Sequence, residues 1–143
     1  MKANNITEKI SKALSNLTVL TNTSNNWEAK FVVDDQIYIF DASLDKYWDV
    51  IFANYTDNYP QWGRVETKNS LKVFKVIEQV LSLFIKSKNP KVISFSSDSE
   101  DSSRVKLYRS FGKRLDRKFG YKLVKEVKST LFNKITFYYA KSK

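Results

Sequence analysis

A chain of 143 residues, 42% apolar, 15% aromatic and 28% charged, has the make-up of one globular domain, long enough to bury a core without a disulfide or metal staple. It contains no Cys and no His, which excludes disulfide frameworks, thiol nucleophiles, thiolate and imidazole zinc sites, Ser-His-Asp and Cys-His catalysis, and histidine pH switches. Its formal charge is +10, and the remaining chemistry must run on carboxylates, hydroxyls, Lys/Arg and backbone N–H groups.

In chain order, Ile6, Ile10, Ala13, Leu14 and Leu17 recur at helical spacings and predict an amphipathic helix over Ile6–Leu17, with Thr7 as its cap. Thr21–Asn26 is polar and reads as a loop. Trp27–Phe40, rich in aromatic and β-branched residues and interrupted by Asp34-Asp35-Gln36, predicts two antiparallel strands and a tight turn. Tyr47–Tyr55 predicts a third strand, Asp57, Asn58 and Pro60 a turn, and Trp62–Glu66 a short fourth strand. The rings of Tyr47, Trp48, Phe52, Tyr55, Tyr59 and Trp62 divide between core packing and a wall of a cleft or interface.

The period then changes. Ser70–Lys86 is apolar around most of its circumference and has no Gly or Pro, which predicts a helix set in a groove and stopped by Asn89-Pro90. Lys91–Ser96 predicts a central strand, and the acidic, hydroxyl-rich Asp98–Ser103 a loop that caps the next helix. In that helix, Arg104–Phe119, the residues Val105, Tyr108, Phe111, Leu115 and Phe119 form one stripe, and Gly120 ends it. Tyr121–Val127 and Lys134–Lys141 predict a closing hairpin. The fold class expected is α+β: a single domain, residues 1–143, with a mixed, mostly antiparallel sheet and two main helices.

The charge is concentrated at one end. Residues 1–103 balance to −1, whereas residues 104–143 carry 13 Lys/Arg against only Asp116 and Glu126. Arg104, Arg109, Lys113, Arg114, Arg117 and Lys118 form the densest part, a candidate patch for an anionic partner. The plain alternative is a solvated face. No apolar run near residue 1 has the length of a secretory core, and Leu71–Ile85 is broken by Lys72, Lys75, Glu78 and Gln79, so no membrane partner is expected.

From Leu71 onward the segments LKVFKVIEQVLSLFI, VISFS, SSRVKLY and FGYKL resemble the GNAT acyltransferase superfamily, and more narrowly small GNAT-like proteins encoded by bacteriophages. The resemblance covers about half the chain. It implies a GNAT-like fold and acetyl-CoA as cofactor; with no Cys and no His, no metal is expected. The resemblance also implies an amine as acyl acceptor. With neither a secretory core nor a membrane span read in the sequence, the expected location is cytoplasmic, the host cytoplasm or a virion if the chain is phage-encoded. By the same resemblance, Glu66 takes the place of the general base and Tyr108 that of the acid to the departing thiolate. Thr67, Lys68, Asn69, Ser70 and Lys72 stand where the family holds the pyrophosphate. The family's glycine-rich loop is missing here, since Glu66–Ser70 contains no Gly. Side chains with Cβ atoms keep a backbone farther from a phosphate than glycine does.

Three functions therefore compete. The first is an acyl-CoA-dependent N-acetyltransferase. The second is a catalytically inactive GNAT-like fold, serving as a virion component or binding an acidic host protein through its basic C-terminal region. The third is non-specific nucleic-acid binding, marked by a steep salt dependence. The oligomeric state is not legible in the sequence.

Overall fold

The computed structural model describes residues 16–33, 35–56, 59–62, 70–98 and 102–141. In chain order these form β1 (Thr18–Asn22), β2 (Asn26–Val33), β3 (Gln36–Leu44), β4 (Trp48–Thr56) and β5 (Tyr59–Trp62). They continue as helix α1 (Ser70–Lys88), β6 (Val92–Asp98), helix α2 (Ser102–Phe119), β7 (Tyr121–Ser129) and β8 (Lys134–Lys141). The class is α+β, with mostly antiparallel strands and, among the described residues, two helices. The chain divides into two compact units: Met1–Ala42 with Ile51–Asn89, and Ser43–Val50 with Pro90–Lys143.

In the first unit the strand order is β1-β2-β3-β4, with β5 on β4. Alternation along β2 and β3 buries Trp27, Ala29, Phe31 and Val33 and, opposite, Tyr38, Phe40 and Ala42, because successive residues of a strand point to opposite faces. Asp35 takes the left-handed backbone (φ 65°) between β2 and β3, a conformation Asp tolerates better than most residues. Helix α1 lays Val73, Val76, Val80 and Phe84 into this core. Its outward strip is Lys75, Gln79, Leu83 and Lys86, of which Lys75 is half-buried and the others exposed. The Phe84 ring lies 5.8 Å from Trp27 and 5.9 Å from Phe40, which are themselves edge to face at 5.7 Å. The helix ends as its sequence predicts. Asn89 adopts φ 46° and donates its N–H to the Ile85 carbonyl at 2.8 Å, a left-handed C-cap before a proline.

Two local expectations are corrected in this unit. Thr18–Asn22 is a strand where Leu17 was to close a helix and Thr21 to open a loop; it pairs antiparallel with β2 through Thr18↔Lys30. All but Thr21 are exposed, so no alternation announces the strand. Second, the pairing partner of β4 is Tyr59–Trp62, and Pro60 lies within it opposite Tyr55. A proline is tolerated in a strand at a sheet edge, so the expected turn residue is part of the ladder. The rest of the expected helix, Ile6–Ser15, lies outside the described residues, as do Asp57, Asn58 and Gly63–Glu66 of the expected turn and fourth strand.

The second unit has strand order β4-β6-β8-β7. Its β4 segment, Trp48–Val50, runs parallel to Ile93–Phe95, whereas β6/β8 and β7/β8 are antiparallel. Ile93 and Phe95 share a buried face with Ile135, Phe137 and Tyr139, and α2 covers it with Tyr108, Phe111 and Leu115. Gly120, at φ 75°, closes α2 by donating to the Asp116 carbonyl at 3.0 Å. The Tyr121 hydroxyl then donates to the Pro90 carbonyl at 2.5 Å and ties the start of β7 to the start of β6.

Candidate functional site

Each expected site residue has a definite standing. Glu66, Thr67, Lys68 and Asn69 lie outside the described residues. Ser70 is the first residue of α1, and Lys72 stands in its first turn. The leading N–H groups of a helix have no intrahelical acceptors, and the dipole favours an anion beside them. The first turn of α1 contains no acidic residue to oppose one. Ser70 and Lys72, the described members of that set, thus bring no negative charge to the start of α1.

Tyr108 sits on the inner face of α2 with 2% exposure. Its ring stacks on Phe95 at 5.7 Å with an interplanar angle of 22° and lies 6.4 Å from Phe111. The geometry is that of an aromatic layer, in which burial and ring stacking fix the phenol's orientation. Phe95 also meets the edge of Tyr139 at 5.9 Å. Burial pushes Tyr139 up to about 12; Arg109 works against that shift and Glu126 with it. Both phenols of this layer are therefore held by β6, β8 and α2 together.

Gly112 makes that layer possible, and it is not among the residues expected at the site from the sequence. A Cβ at this position would overlap the phenol of Tyr139. A glycine inside a helix costs conformational entropy, so its presence between Phe111 and Lys113 was the legible sign of a close approach. The opposite face of these strands is polar. Ser94 Oγ donates to Asp49 Oδ1 at 3.1 Å, and the hydroxyls of Ser96 and Thr136 meet at 3.0 Å. Tyr47 meets Tyr138 edge to face at 5.2 Å.

The cationic patch is less uniform than its sequence. Arg109 pairs with Glu126 at 2.8 Å and lies 5.2 Å over the Phe137 ring, so its charge is engaged within the unit. Lys113, Arg117 and Lys118 are exposed, and Arg114 is half-buried. Arg104 lies in the first turn of α2. Lys106, exposed and seven residues before Lys113, extends the outward stripe and was absent from the expected patch. Among the described residues no cluster of acidic side chains is suited to a metal ion, and no helix is long and apolar enough to cross a membrane. No family model matches the chain, and no curated protein is significantly similar to it.

Proposed function

We propose that the chain is a GNAT-like protein that binds acetyl-CoA and transfers its acyl group to an amine. The observation that carries the reading is the parallel pairing of Trp48–Val50 with Ile93–Phe95 among antiparallel strands. In the chain, α1 precedes β6 and α2 follows it with Tyr108. That order is the one the resemblance implies, and the acid-free first turn of α1 supports phosphate binding there. Ser70 and Lys72, with Thr67, Lys68 and Asn69, would hold the pyrophosphate. The thioester, when bound, supplies the activated acyl carbon.

The chain's own part is proton handling. Glu66 is proposed to take the proton of the acceptor amine, and Tyr108 to return one to the thiolate. Tyr108 is suited to that task by its fixed ring, since a phenol stacked in an aromatic layer offers its hydroxyl in one direction. The test pairs calorimetry with an amine acetylation assay. Wild type should give saturable heat with CoA, and Tyr108→Phe should keep that heat while kcat falls by about a hundredfold, at the low end of general acid–base effects. An unchanged kcat removes Tyr108 from the chemistry. No heat at near-millimolar CoA removes the reading.

One observation favours the inactive alternative. Tyr108 is 2% exposed and packs against Phe95 and Phe111, as a purely structural ring would. In that case the exposed Lys106, Lys113 and Arg117 of α2 would serve an acidic protein partner. Acetylation of a defined amine by the wild-type chain contradicts this alternative.

A further inference from the structure

The β7–β8 hairpin buries Ile135, Phe137 and Tyr139 but leaves a second set of apolar residues exposed. Leu131 and Phe132 stand at the tip with 83% and 73% exposure, and Leu123, Val124 and Val127 are exposed along β7. Large apolar side chains grouped on a surface mark a contact site. At the tip the Phe132 N–H donates to Ser129 Oγ at 3.4 Å, and Asn133 holds φ 48°. Exposed Lys125, Lys128 and Lys134 stand behind it. Glu126 is the only acid from Tyr121 to Lys143, and Arg109 neutralises it at 2.8 Å.

Two features argue against another strand as the occupant. The register of β7 shifts between Leu123 and Lys125, and a bulge with lysines blunts an edge against strand addition. A second copy laid along β7 would also bring Lys122, Lys125 and Lys128 against the same lysines. An apolar point with cationic shoulders instead matches an anionic lipid surface. Such a surface takes apolar side chains at the headgroup boundary, attracts lysines electrostatically, and requires no complementary shape.

We propose that the Leu131–Phe132 tip, backed by Lys125, Lys128 and Lys134, docks this protein reversibly on an anionic lipid surface. The contact is peripheral, needs no membrane-spanning segment, and is independent of acyl-CoA binding. Co-sedimentation with phosphatidylcholine vesicles, with and without about 30% phosphatidylserine, tests it. Wild type should bind the anionic vesicles and leave the neutral ones. Leu131→Ser/Phe132→Ser should weaken binding by at least about tenfold, the loss expected for removing two inserted apolar side chains. Lys113→Ala/Arg117→Ala in α2 should stay within about twofold, since surface charges off the contact contribute little. Equal binding by the tip variant, loss confined to the α2 variant, or no binding to anionic vesicles would each overturn the proposal. So would a soluble acidic protein that engages the tip while vesicles do not. Phe132→Trp, which keeps the tip apolar, gives an independent readout: its added emission should shift to the blue with anionic vesicles, and an unshifted emission overturns the proposal.

Discussion

Replacing Gly112 by Ala should destabilise the protein, although the same change at an open helix site stabilises by about 1 kcal/mol. The added methyl group would overlap Oη, Cζ and Cε1 of Tyr139, so the ring body and not only its far end is in the way. Tyr139 is 3% exposed and rests its edge on Phe95. Moving it gives up an aromatic pair worth about 1 kcal/mol, and overpacking a full core costs about 1–3 kcal/mol more. After the helix-propensity gain, the net loss is about 2 kcal/mol. With a urea slope of about 2 kcal/mol/M, the unfolding midpoint should fall by about 1 M. Tyr139→Leu removes the obstacle, so combining it with Gly112→Ala should cost less than the two single changes added together. A midpoint that rises in Gly112→Ala, or strict additivity in the double variant, would refute the close approach of α2 to β8.

Three further outcomes are expected. Burial pushes Tyr121 and Tyr139 up to about 12 from an ordinary value of 10.0; because the folded values are raised, these phenols favour the native state fully below pH 10, and that contribution is lost as pH rises toward 12. Urea unfolding at pH 8 and pH 11 should therefore show a lower midpoint at pH 11, and equal midpoints would contradict it. Arg109→Ala should cost about 1 kcal/mol and Glu126→Ala less, because only the arginine also covers the Phe137 ring; their difference should persist in 1 M salt (about 3 Å of screening length), where the ion pair itself is weakened. Glu28 is raised above 4.5 by burial and then by Asp41, so its charge opposes folding at neutral pH, and Glu28→Gln should leave stability unchanged or raise it by less than about 1 kcal/mol in thermal unfolding.

What was legible in the sequence followed from burial. The stripe of Tyr108, Phe111 and Leu115 and the apolar density of α1 reflect faces pressed against strands, and both helices have the expected stops at Asn89 and Gly120. β1 was hidden because an exposed edge strand has no inward residues to alternate with. Pro60 pointed to a turn because sequence alone does not distinguish an edge strand from its neighbours. Arg109 falls in the cationic patch by sequence, because its partner, Glu126, arrives only when β7 folds back beside α2. A glycine inside a helix is legible at Gly112, but the ring it makes room for, Tyr139, lies on a strand 27 residues later. The proposed phosphate site is the converse case: its key residues were named from the resemblance, and the structure describes only Ser70 and Lys72 among those assigned to the pyrophosphate.

The proposed function rests on Thr67–Ser70 and Lys72 holding the diphosphate of an acyl-CoA although that stretch contains no glycine. Titrating wild type and Lys68→Ala/Lys72→Ala with CoA by calorimetry tests it most directly. Saturable binding in the wild type, weakened about tenfold or more in the variant as charge-assisted contacts require, is the predicted result. Absence of heat in the wild type at near-millimolar CoA, or identical binding by both proteins, would contradict it.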